Sequence, residues 1–173
     1  MSYIAKAVSR VNLRELALWI RKTVGYEYKP YFPIVKFMEH VMPEMFPGFN
    51  YEIVDDDELP NMEGLTIPRD NLILLPNRVY EDAAAGKGRA RFSVSHEVSH
   101  YIIIDDSSIA LARSDNILPY QNPEWQANAL TSEILLPPHL TAGMSQDRIA
   151  AVFGVSNAAA NVHIKQKKRE NLP

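Results

Sequence analysis

One stretch limits what this chain can fold into more than any other: Arg91-Phe-Ser-Val-Ser-His-Glu-Val-Ser-His-Tyr-Ile-Ile-Ile104. No Gly or Pro interrupts residues 89–104, and Phe92, Val94, Val98, Ile102 and Ile103 give a thick apolar surface. The pattern predicts a helix, and its β-branched residues place that helix in the core. The same helix carries His96-Glu97-Val98-Ser99-His100. Positions i and i+4 share a helix face, so two imidazoles one turn apart can grip one metal ion in a bite that suits tetrahedral zinc. Glu97 is one step round from His96, within reach of water at such an ion, where a general base for hydrolysis has to stand. Buried polar groups are costly unless compensated, and a metal ion supplies the compensation.

Composition excludes several other classes. The 173 residues suit one domain or one domain with an appendage, with 46% hydrophobic and 23% charged residues for a packed core. A net charge of −3 gives no general attraction to nucleic acid or anionic membrane. Cysteine is absent, which rules out disulfides and thiolate zinc sites and fits a reducing compartment. Residues 1–11 lack an apolar signal core and no run reaches spanning length, so the expected location is cytoplasmic.

Apolar spacing predicts helices over about 11–24 and 34–45, with Met42-Pro43 ending or kinking the second. Strands follow at Tyr51–Val54, Gly64–Pro68 and Asn71–Leu75, the last two as a hairpin. Asn77 is the expected cap of a helix from Arg78 to Ala85. The acidic run Asp55–Glu58 lacks the spacing of a calcium loop and reads as a solvated turn. Residues 105–122 read as a loop with one helical turn. Asn122-Pro123 opens a helix that ends at Pro137-Pro138, and a helical pair covers about 145–153 and 156–168. This is an α+β pattern, mostly helical, with a small antiparallel or mixed three-stranded sheet.

Catalytic zinc needs a third protein ligand. Glu124, Glu133, Asp105, Asp106, His139 and His163 are candidates. Glu124 and Glu133 lie nine residues apart on one predicted helix and face opposite ways, so only one of the two can serve. Spacing does not choose among the candidates.

Arg91-Phe92, His96-Glu97-Val98-Ser99-His100, Glu124-Trp-Gln-Ala-Asn128 and Glu133-Ile-Leu-Leu-Pro137 together resemble the ImmA/IrrE family of metallopeptidases. The resemblance spans roughly 71–161. It implies a zincin-like domain over residues 1–140, N-terminal helices included, with a helix-turn-helix-like pair over 141–173 packed on it. It implies one Zn2+ held by His96, His100 and Glu124, with Glu97 as catalytic base of an endopeptidase. Two positions depart from the family: Ser99 stands where Gly is common and Ile104 where a His is frequent. The expected substrate is a protein, a helix-turn-helix repressor met in trans, since residues 1–33 are too few for a fused repressor domain.

A peptide substrate could lie along an exposed edge of the strand Asn71–Leu75. Tyr101, Tyr120, His139 and His163 are the candidates for stabilising an oxyanion. The competing function comes from the tail, where Ile149-Ala-Ala-Val-Phe-Gly-Val-Ser156 has a helix-turn-helix look, followed by Lys165, Lys167, Lys168 and Arg169. That alternative is a DNA- or protein-binding regulator with a structural or silent metal site. Its bland counterpart is helix packing through Ile149, Ala150, Phe153, Val155, Ala159 and Val162.

Overall fold

The computed structural model describes residues 3–4, 7–105, 112–113 and 119–173. The fold is α+β, mostly helical with a small mixed sheet and helices at its C-terminal end. A two-residue strand β1 (Tyr3–Ile4) precedes helix α1 (Arg10–Thr23), whose N-cap Ser9 accepts the Asn12 N–H at 3.1 Å. Leu13, Ala17 and Ile20 bury one face of α1, as their spacing requires.

The next helical stretch runs through α2 (Ile34–Lys36), a π-helical turn (Phe37–Val41) and α3 (Met42–Met45). Pro43 explains the irregularity. It has no N–H to return to Glu39, and the Met42 N–H bonds instead to the Phe37 carbonyl, five residues back.

The sheet holds β2 (Asn50–Val54), β3 (Leu65–Ile67) and β4 (Leu72–Pro76) in the order β2-β4-β3. The β3–β4 hairpin forms as expected, antiparallel with Thr66 opposite Ile73, and Asn71 turns it in the left-handed region at φ 52°. Strand β2 joins β4 in parallel, which makes the sheet mixed. Strand β4 is therefore the central strand, hydrogen-bonded on both sides, with Ile73 and Leu75 fully buried. The expected exposed edge at Asn71–Leu75 does not exist. Among the described residues the outer strand on that side is β3.

Helix α4 (Asn77–Ala84) contains Asn77 rather than being capped by it. The cap comes from the acidic turn, where Asp56 Oδ1 accepts the Arg78 N–H at 2.9 Å. Helix α5 (Gly88–Asp105) runs through the core, and α6 (Pro123–Leu135) packs between it and α1. Between them, strand β5 (Ala112–Arg113) pairs antiparallel with β1. The Asn122 side chain caps α6, as its position before Pro123 predicts. Helices α7 (Gln146–Phe153) and α8 (Asn157–Arg169) complete the chain, each with a serine cap, and Gly154 between them is left-handed at φ 65°. Ile149, Phe153, Val155 and Ala160 join the same hydrophobic core as α1, α5 and α6.

Two buried arginines lock this arrangement. Arg21, fully buried, donates to the carbonyls of Tyr26 at 3.1 Å, Ile134 and Lys29, and burial pulls its pKa down to about 10. Arg91 donates to the carbonyls of Phe153 at 2.9 Å, Gly154 and Phe32, with its guanidinium 3.9 Å from the Tyr31 ring centroid. It ties α5 to the α7–α8 turn and satisfies carbonyls at a helix end. Any side chain at Gly88 would collide with the same turn, since a Cβ there lies 2.5 Å from the Val155 carbonyl carbon. Among the described residues no helix is long and apolar enough to cross a membrane.

Candidate metal centre

Helix α5 presents His96 and His100 on one face, their Nε2 atoms 3.0 Å apart. Helix α6 supplies Glu124 in its first turn, where a carboxylate also complements the helix dipole. Glu124 Oε2 lies 3.0 Å from His96 Nε2, and Oε1 lies 2.9 Å from His100 Nε2. One ligand atom from each of the three residues falls within 4.8 Å of the others. His96 Nδ1 lies 2.9 Å from Asn128 Oδ1. An amide oxygen only accepts, so Nδ1 carries the proton and Nε2 turns its lone pair to the cluster. Burial, and then the neighbouring His96, hold His100 below the usual imidazole pKa, in the neutral form that ligates.

Lone pairs and carboxylate oxygens converging this closely repel one another unless a cation lies among them. Two imidazoles and one carboxylate form the donor set of a hydrolytic zinc site. The residues present therefore fit a divalent metal ion.

Glu97 turns toward the sheet. Its Oε2 accepts from Thr66 Oγ1 of β3 at 2.6 Å, and the same hydroxyl is 3.0 Å from the Glu97 carbonyl oxygen. Burial raises the Glu97 pKa, against the lowering effects of the Thr66 hydrogen bond and of His96. Gly64, just before β3, leaves room for this carboxylate: a Cβ there would stand 2.5 Å from Glu97 Cγ. Met62, Glu63, Gly64, Phe92, His96, Glu97 and Asn128 line a cleft of about 320 Å³ beside these groups.

The other expected ligands lie elsewhere. Glu133 is buried against α1, where its carboxylate accepts from Arg10 Nε, Arg14 Nε and Arg14 Nη2, each at 2.9 Å. His139 bonds the Glu27 carbonyl at 2.8 Å. His163 is buried against the Thr141 hydroxyl at 2.8 Å. Asp106 lies outside the described residues, as does the Asp105 side chain. Of the oxyanion candidates none lines the cleft. Tyr101 is buried against Phe46 and Phe49 and donates to Asn71 Oδ1 at 3.1 Å, and Tyr120 is exposed in the short turn before α6.

One of the two family departures has a local explanation. Ser99 is fully buried and bonds Thr131 Oγ1 at 3.0 Å, linking α5 to α6, while Ile104 is half-buried. Sequence reasoning missed three residues at the site. Asn128 had a signal, since it lies four residues after Glu124 and so on the same face of α6. Thr66 and Gly64 had none, because a strand thirty residues upstream meets Glu97 only in three dimensions.

The family model described as the IrrE N-terminal-like domain, a peptidase family, matches residues 57–165. None of the curated proteins compared matches the chain. Among solved structures, a Mycobacterium tuberculosis transcriptional regulator is similar over 86% of this chain and 45% of its own, at a TM-score of 0.59 and 15% identity. The chain thus spans less than half of that regulator, and the likeness is one of fold.

Proposed function

Because the chain belongs to the IrrE N-terminal-like family of metallopeptidases, we propose that it is a zinc-dependent endopeptidase with His96, His100 and Glu124 as ligands and Glu97 as general base. The observation that carries the reading is the meeting of α5 and α6: three ligand atoms within 4.8 Å of one another, with Glu97 one residue from a ligand. A zinc ion held there supplies a Lewis acid that acidifies water and polarises a peptide carbonyl. Glu97 takes the proton of the attacking water and delivers it to the leaving amine. Burial suits it to that work, because a carboxyl with a raised pKa accepts a proton more readily and still releases it. Asn128 fixes the His96 ring, Thr66 fixes the Glu97 carboxylate, and Gly64 leaves it room.

The substrate lies extended across the cleft and pairs with β3, whose Thr66 touches Glu97. A helix-turn-helix repressor, cut in trans in the cytoplasm, is the proposed substrate. The family resemblance supports it.

The proposal is tested by metal analysis of the wild type beside His96→Ala, and by incubating zinc-loaded wild type and Glu97→Gln with purified helix-turn-helix repressor proteins. One equivalent of metal in the wild type and in Glu97→Gln is expected, with little in His96→Ala and cleavage by the wild type alone. Cleavage by Glu97→Gln at the wild-type rate removes the mechanism.

The regulator reading gains little from α8. In the basic run Lys165, Lys167, Lys168, Arg169, the second member is buried, with its ammonium on Thr141 O and Oγ1 at 3.1 Å each and on the Pro173 carbonyl at 2.8 Å. The first turns of α8, which would read a DNA groove, are Asn157-Ala-Ala-Ala-Asn161, with no cation among them.

A further inference from the structure

The cleft beside Glu97 continues into a second cavity. Glu63, Phe92, Ser93 and Asn128 line both. The second cavity is an open groove of about 500 Å³ with Phe92, Trp125 and Ala129 on the α5–α6 side. Its opposite wall is α8, through Ala158, Ala159 and Val162. Helix α8 does not close onto α6 here. Val162, whose spacing predicts packing, is 65% exposed, while its neighbours Ala160 and His163 are buried. The groove is thus an apolar trough on the surface, and such a feature beside reactive groups is where ligand side chains are held. At the junction, Glu63 is neutralised by Arg89 Nη2 at 2.6 Å and receives the Ser93 hydroxyl. The groove's charges are already partnered, Glu63 with Arg89 and Arg10 with Glu133, and its exposed lining is mostly apolar, which leaves the apolar walls to select.

We propose that this groove is the subsite for one side of the scissile bond, taking large apolar side chains of the polypeptide substrate, with α8 as its outer wall. The inference rests on the peptidase reading, because the occupant is identified by continuity: a chain leaving the cleft past Glu63 has this groove as its path. Helix α8 then serves selection of substrate. The two alanines of α8 give the groove its width, and Val162 is its apolar rim.

The protein carries its own probe. It has two tryptophans. Trp125 lines the groove, whereas Trp19 is exposed on α1 and does not. The full chain bearing Trp19→Phe and Glu97→Gln is titrated with a blocked decapeptide of Gly, Ser and Gln holding three leucines, and with its counterpart in which serine replaces leucine. A saturable blue shift of Trp125 with the leucine peptide alone is expected. Adding Val162→Glu should weaken it by at least about tenfold, since a charge then has to be buried against the ligand. Ala159→Leu, which fills the groove, should do the same. No saturable shift, an equal response to both peptides, or a shift that neither variant alters overturns the proposal. The leucine peptide is also incubated with the zinc-loaded Trp19→Phe protein that retains Glu97. Cleavage without any Trp125 response removes the groove and leaves the peptidase. A Trp125 response without cleavage overturns the subsite, because the groove then binds peptide without presenting a scissile bond, and leaves the peptidase reading to the repressor test.

Discussion

Asn128→Ala isolates how much of the metal centre depends on a residue that is not itself a ligand. The Asn128 side chain is exposed, so its removal opens no cavity in the core. What it removes is the 2.9 Å contact with His96 Nδ1. Without an acceptor there, the neutral ring loses its bias toward the tautomer that leaves Nε2 free, and it can also rotate about χ2. A net hydrogen bond contributes about 1 kcal/mol, and the freed ring adds a similar entropic cost on binding. Together these correspond to a roughly 10- to 100-fold weaker metal affinity, the range found for lost supports of this kind. Asn128→Asp keeps an acceptor and adds charge, and should bind metal at least as tightly as the wild type. Competition against a zinc-binding chromophore at pH 7 measures all three proteins. A second readout is the rise in melting temperature with added zinc, which shrinks as the dissociation constant grows. If Asn128→Ala competes as well as wild type, the tautomer argument fails, and the His96 ring is held by packing alone.

Three further outcomes follow from the same geometry. Gly64→Ala places a Cβ 2.5 Å from Glu97 Cγ, so the carboxylate has to shift; cleavage should fall by tenfold or more with metal content unchanged, at a stability cost of about 1–3 kcal/mol by denaturant titration. Glu133→Ala leaves Arg10 and Arg14 without their buried anchor and should destabilise by about 3 kcal/mol, at the low end for buried pairs because both arginines are partly exposed; an unchanged denaturation midpoint refutes the anchoring role. His163 is held near pKa 4 by burial and by Lys167, against an ordinary value of 6.5. The unfolded chain therefore takes up a proton below about pH 6.5 that the folded chain refuses. Stability should fall as pH drops from 6.5 to 4, by about 1.4 kcal/mol per unit at most and about 3 kcal/mol in all, and stay level above 6.5 as far as this group is concerned. Denaturant midpoints of wild type and His163→Asn across that range check it, and parallel curves refute it.

Much of the centre was legible because it is local. The i, i+4 spacing of His96 and His100 and the position of Glu97 are properties of one helix, and a helix without Gly or Pro has one geometry. The cap Asn122 marks a helix start for the same reason, since it satisfies N–H groups two and three residues away. Pairing belongs to another class. Whether Asn71–Leu75 would be an edge or a centre depended on a parallel partner, β2, that reaches it through a separate crossover. Hydrophobicity alone made β4 a buried strand without saying which strand would be left outside.

What the residues by themselves determined was a core helix armed with two imidazoles and a carboxylate, and a family pattern that pointed from there to Glu124. Folding alone decided that Glu124 faces that helix while Glu133 is held by Arg10 and Arg14, that β3 rather than β4 meets Glu97, and that Arg21 and Arg91 are interior residues joining distant carbonyls. The physical reason is range. Helix geometry and capping act over one turn of chain and are written in spacing, whereas a hydrogen bond between residues 66 and 97, or between 91 and 153, exists only after the core has brought the two segments together.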